Sequence, residues 1–95
     1  MSFIDKFRGK SLAEPIDRRK ALLAHGRITD GIILDTDINA DGEEVAIYLY
    51  TLNGVDFESS YALTEEQRRD RIKYAPGAKV AIRYDTRNQG NSILE

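Results

Sequence analysis

From Glu44 to Leu63 the chain reads EVAIYLYTLNGVDFESSYAL, two runs of alternating residues joined by Asn53-Gly54. Asn-Gly between such runs is the strongest short-range hairpin signal, because a type I′ turn needs positive φ at both central residues. A two-residue turn pairs Leu52 with Val55, Tyr50 with Phe57, Tyr48 with Ser59 and Ala46 with Tyr61. Side chains alternate along a strand, so these eight share one face. The opposite face carries Val45, Ile47 and Leu49 on the first strand but Asp56, Glu58 and Ser60 on the second. The first strand is therefore apolar on both sides, as a central strand is, and the second is wet on one side.

The same reading places the other elements. Ser11 to His25 is the main helix: Pro15 suits the first turn, Asp17 lies near the positive end, and Gly26 follows as a stop. Its stripe of Ile16, Leu22 and Leu23 is expected to pack on Val45, Ile47 and Leu49, with Arg18, Arg19 and Lys20 mostly outside it. Residues 27–36 form a strand whose interior Gly31 signals a bulge or a tight bend. Thr64-Glu65-Glu66-Gln67 is a capping box opening a short surface helix that runs on toward Arg71 and Lys73. Pro76-Gly77 turns the chain into strand 78–84, and 91–94 is the last strand. The fold class that follows is mainly β. It is a small five-stranded antiparallel barrel or strongly bent sheet of SH3 or OB kind, with an N-terminal helix and a short helix before the fourth strand. Residues 1–25 form a helical arm packed on the barrel, and 26–95 the barrel-like domain.

Ninety-five residues make one domain of ordinary size. Cysteine is absent, which excludes disulfides and thiolate metal sites. No apolar run reaches the ~18 residues of a membrane span and no signal-peptide core is present, so a soluble, cytoplasmic protein is expected. Charge is segregated. Lys and Arg against Asp and Glu number six to three in residues 1–26, one to eight in 27–63 and seven to five in 64–95, giving +3, −7 and +2. An acidic middle thus lies between basic ends.

Four groups of residues are candidates for chemistry. Phe3, Ile4 and Phe7, at helical spacing among Lys6, Arg8 and Lys10, form either a membrane-surface anchor or an arm whose aromatic rings cap a barrel in this chain or in a partner. Asp37-x-Asn39-x-Asp41-Gly42 matches the first six positions of a calcium loop, with oxygens at alternate places and glycine at the turn. The twelfth position is Tyr48 rather than glutamate, and the flanks read as strands. Arg68, Arg69, Arg71, Arg83 and Arg87 could follow phosphates if Tyr48, Tyr50, Phe57 and Tyr61 stacked bases. His25, the only histidine, sits where a helix end favours a cation and reads as a cap.

From Gly26 onward the order of pieces resembles a bacterial domain-of-unknown-function family, number 3592. The matching residues are Gly26, then Tyr48, Tyr50, Asn53-Gly54 and Phe57. Tyr74, Gly77, Val80, Ile82, Tyr84 and Asp85 then follow the family's Tyr-x-x-Gly-x-x-Val-x-Val-x-Tyr-Asp ending. The likeness covers about residues 24–95. Thr86 and Gln89 stand where that family usually has prolines. The resemblance implies a small β-barrel-like domain and carries no activity.

An enzyme is not expected, since one helix-end histidine and no cysteine leave no nucleophile–base pair. Base stacking competes with the core for the same rings, each worth about 1.5–3 kcal/mol when buried, and the acidic middle repels phosphate. The functional expectation is a non-catalytic protein-interaction module, self-associating through Phe3, Ile4 and Phe7. Single-stranded nucleic-acid binding and calcium binding are the alternatives.

Overall fold

A computed structural model describes residues 15–95, with side chains from Asp17 onward. In chain order its elements are α1 (Pro15–His25), β1 (Arg27–Ile38), β2 (Glu44–Leu52), β3 (Val55–Ala62), α2 (Glu65–Arg68), β4 (Lys79–Tyr84) and β5 (Ser92–Leu94). Phe3, Ile4, Phe7 and the expected first residues of the helix lie outside the described residues.

The five strands form one sheet in the order β3-β2-β1-β4-β5, with every neighbouring pair antiparallel. Three meandering strands and a fourth that returns beside the first make a Greek key. The sheet curls into a half-barrel whose first and last strands face each other across a seam with no ladder between them.

The β2–β3 hairpin has the register its turn demands: Leu52 opposite Val55, Tyr50 opposite Phe57, Tyr48 opposite Ser59 and Ala46 opposite Tyr61. Asn53 and Gly54 have φ of 53° and 81°, the left-handed pair of a type I′ turn. The face they share is the inside of the curl. Ala46, Tyr48, Tyr50 and Tyr61 are buried there with Ile33, Val80, Ile82 and Leu94. The rings of Tyr48 and Tyr50 are stacked at 6.0 Å and those of Tyr50 and Phe57 at 5.4 Å, within the range where aromatic pairs add to simple burial.

Of the bulge or tight bend that Gly31 signals, the bulge lies elsewhere. The bulge in β1 falls between Ile33 and Asp35, where Leu34 is the extra residue. Gly31 is instead a close approach: a Cβ there would run into Ile82 Cδ1 and stand 2.7 Å from the Leu49 carbonyl oxygen. The Ile82 side chain fills the space that any other residue would occupy, which lets the sheet curl tightly at this point.

The helix covers a different part of the sheet from the one expected. α1 packs on β4 and β5, with Leu22 in the core cluster and Leu23 against it. Ile93 explains the difference. It points away from Leu94, to the outer side of β5, and is fully buried, so this short strand has a second apolar face for the helix to cover. Val45, Ile47 and Leu49 are left half-buried without it.

α2 begins with the expected capping box. The Thr64 hydroxyl accepts from the Gln67 amide at 3.1 Å, and Gln67 Oε1 accepts from the Thr64 amide at 2.9 Å. The helix then ends at Arg68 rather than continuing to Lys73. Beyond it the chain must bring Tyr74 into the core, and Tyr74 is buried while Ile72 is 86% exposed.

Candidate functional site

The outer surface of β1 and β2 is the most distinctive feature of the molecule. Register places Ile32 opposite Leu49, Asp35 opposite Ile47, Asp37 opposite Val45, and Glu58 opposite Leu49 from the other side. Directly opposed side chains share a face, so Ile28, Ile32, Val45, Ile47 and Leu49 form one apolar strip on the outside. Ile28, Ile32 and Leu34 are 54%, 38% and 43% exposed. Asp30, Asp35, Asp37, Asp56 and Glu58, all exposed, stand among and around them. Against these five carboxylates the same face holds Lys79, opposite Ile32, and Arg83, opposite Ile28. Arg83 is engaged elsewhere, with Glu95 at 3.3 Å and the Gly26 carbonyl at 3.2 Å. The continuous apolar row is thus β2 with Ile32 beside it; Asp35 and Asp37 flank that row on the β1 side and Asp56 and Glu58 on the β3 side, while Asp30 separates Ile32 from Ile28.

A second cluster lies at the seam. Arg19 Nη1 donates to the Leu94 carbonyl at 2.6 Å and to the Tyr61 hydroxyl at 3.1 Å, joining β5 to β3. Its guanidinium stands 5.7 Å from the centre of the Tyr61 ring, within cation–π reach. Gln67 Nε2 donates to the same Leu94 carbonyl at 3.0 Å, and the Tyr74 hydroxyl donates to the Glu95 carbonyl at 2.9 Å. A carbonyl oxygen has room for both donors on Leu94. Side chains therefore bridge this edge where a closed barrel would have a ladder.

The aromatic residues considered for base stacking are inside. Tyr48, Tyr50 and Tyr61 are 0%, 2% and 7% exposed, and Phe57 packs half-buried against them. The Tyr48 hydroxyl bonds Ser92 Oγ and the Tyr50 hydroxyl donates to the Gln89 carbonyl at 2.6 Å. Burial pushes the Tyr48 hydroxyl above its ordinary pKa, with the Ser92 and Ser59 hydroxyls acting in the opposite direction.

The five arginines are not gathered. Arg68 and Arg71 line a recess of about 200 Å³ with Thr36, Glu44 and Tyr74 at the α2 end of the barrel. Arg69 is the α2 cap. Arg83 is on the outer face in its ion pair, and Arg87 is on the β4–β5 turn, the turn that reaches over to Tyr50. His25, exposed at the end of α1, borders a cleft of about 300 Å³ shared with Asp17, Leu22, Asp85 and Asn91.

The β1–β2 loop is organised by Asn39. Its Oδ1 accepts from the amides of Asp41 and Glu43 at 3.0 and 2.9 Å, and its Nδ2 donates to Glu43 Oε1 at 3.1 Å. Asp37 Oδ1 accepts from the Ile38 amide. Among the described residues no three His, Asp or Glu side chains converge where they could hold one ion, and no helix is long and apolar enough to cross a membrane.

Strand and motif reading leaves out Arg19 and gives Gln67 only as the capping-box partner of Thr64, without its bond to Leu94. A signal for Arg19 existed, since it falls three residues from both Ile16 and Leu22 and so on the helix face that packs. Nothing local marks Gln67 for burial, because its partner Leu94 is a tertiary neighbour. Comparison of the chain with known protein families, curated proteins and solved structures finds no match.

Proposed function

We propose that this chain is a non-catalytic, self-associating protein-interaction module whose docking surface is the outer face of β1 and β2. The observation that carries the reading is the exposed apolar strip of Ile28, Ile32 and Leu34 beside Val45, Ile47 and Leu49. A strip of that length on a sheet face favours a covering partner, because burying apolar area is worth about 25 cal/mol per Å². Among the described residues the buried polar side chains, Tyr48, Ser92 and Gln67, bond to one another or to the backbone. The resemblance of residues 24–95 to family 3592 belongs to the same reading and contributes a fold without an activity.

Light scattering over a concentration series tests it. The full chain is expected to gain mass toward a dimer, and Ile32→Lys to remain monomeric with an unchanged melting temperature. A full chain that stays monomeric at high micromolar concentration overturns the reading.

A further inference from the structure

The outer strip is too acidic to pair well with itself. Five carboxylates, Asp30, Asp35, Asp37, Asp56 and Glu58, share it with Lys79 and with an Arg83 already bonded to Glu95. Two such faces brought together would set like charges against one another in a partly dry interface, where repulsion is stronger than in water. The partner this face fits is apolar along its middle and basic along its flanks.

Two segments of the chain have that chemistry, and one of them, residues 16–23 with Ile16, Leu22 and Leu23 among Arg18, Arg19 and Lys20, belongs to α1, which packs on β4 and β5. Residues 3–10, Phe-Ile-Asp-Lys-Phe-Arg-Gly-Lys, hold three large apolar side chains and three basic residues against one acid. Elsewhere the basic runs lack the rings: residues 68–73 offer only Ile72 among Arg68, Arg69, Arg71 and Lys73. We propose that residues 3–10 dock on the outer face of β1 and β2, with Phe3, Ile4 and Phe7 on Ile32, Ile47 and Leu49 and with Lys6, Arg8 and Lys10 toward the carboxylates. This rests on the proposed function and names the occupant of its docking surface.

The course of α1 favours the same placement. Its C-terminal end is over β4, where Arg83 meets the Gly26 carbonyl, and its Arg19 reaches across the seam to Tyr61 of β3. Followed backwards, the helix therefore leads from β4 toward β3, whose outer neighbours are β2 and β1. Strands lie about 4.8 Å apart, so β1 is about 10 Å beyond β3. Residues 10–14 span up to about 17 Å when extended, longer than the two strand spacings from β3 to β1.

A spin label distinguishes the outcomes. The chain has no cysteine, so Ser2→Cys in the full chain gives one attachment point, and amide signals report where it goes. Docking predicts loss of intensity at Ile32, Leu34, Ile47 and Leu49, a loss that Phe3→Ala/Phe7→Ala removes and high salt weakens. Mixing labelled chain with isotope-enriched unlabelled chain separates docking between copies from docking within a chain: losses on the unlabelled copy support the inference together with the self-association it rests on, and losses confined to the labelled chain itself overturn it. Unchanged intensities on β1 and β2, or losses confined to another surface, overturn it. If the protein still dimerises and Ile32→Lys still abolishes the dimer while those intensities stay unchanged, the docking surface stands and residues 3–10 are not its occupant.

Discussion

The Tyr48 hydroxyl lies 2.8 Å from Ser92 Oγ, a bond that joins β2 to β5 through the interior between residues 44 positions apart. Both residues are essentially inaccessible, at 0% and 1% exposure. This contact and the Arg19 bridge are two ties of different kinds between the halves of a sheet that has no ladder at its seam.

Removing one member of the interior pair strands the other. Ser92→Ala is expected to destabilise the fold by about 1–3 kcal/mol, the usual cost of an unsatisfied buried polar group. Tyr48→Phe leaves the smaller hydroxyl of Ser92 in the same position. The double variant removes both hydroxyls, so its cost should fall below the sum of the single ones. A double-mutant cycle by urea denaturation measures that coupling; strictly additive effects would show that the two hydroxyls act independently.

Arg19→Ala takes away two hydrogen bonds at once, and with them the cation over Tyr61. Hydrogen bonds to charged groups contribute about 1.5–3 kcal/mol each when well formed, and partial exposure places the expected loss near the lower end. The more specific expectation is local. Amides of α1 and β5 should exchange faster in Arg19→Ala while those of the β2–β3 hairpin keep their protection, as read by hydrogen exchange.

Gly31→Ala puts a methyl group onto Ile82 and onto a backbone oxygen of Leu49. Overpacking of this kind costs about 1–3 kcal/mol. Trimming Ile82 to valine in the same chain should recover only part of the loss, because the Leu49 carbonyl cannot move without disturbing its strand. Full recovery, measured as the denaturation midpoint, would place the whole clash in the side chain.

The hairpin was legible residue by residue because its register depends on two positions, Asn53 and Gly54, and on strict alternation. The Thr64–Gln67 capping box was legible for the same reason, being local. The partner of α1 was not. A stripe of Ile16, Leu22 and Leu23 shows that a helix has an apolar face but not which sheet face it meets, and the deciding residue, Ile93, lies in a three-residue strand too short to show alternation. Gly31 and Leu34 illustrate a related limit. The sequence marks a break in β1, yet whether glycine is there for a bulge or for a neighbour depends on Ile82, fifty-one positions away. Of the candidate surface, the apolar residues of β2 were visible from alternation, while their exposure depended on where the helix went.

The single unpaired residue in β1 has a consequence for the charge of the whole molecule. Were Leu34 paired like its neighbours, Asp35 and Asp37 would follow Ile33 to the inner face, opposite Ala46 and Glu44. Leu34 shifts the alternation by one, so Thr36 comes opposite Ala46 and both aspartates come opposite Ile47 and Val45 instead. Deleting Leu34 would thus leave Asp35 directly after Ile33 and still opposite Ile47, so both anions keep the outer face and only the bulge is lost; pairing Leu34 as an ordinary strand residue is what would turn them inward.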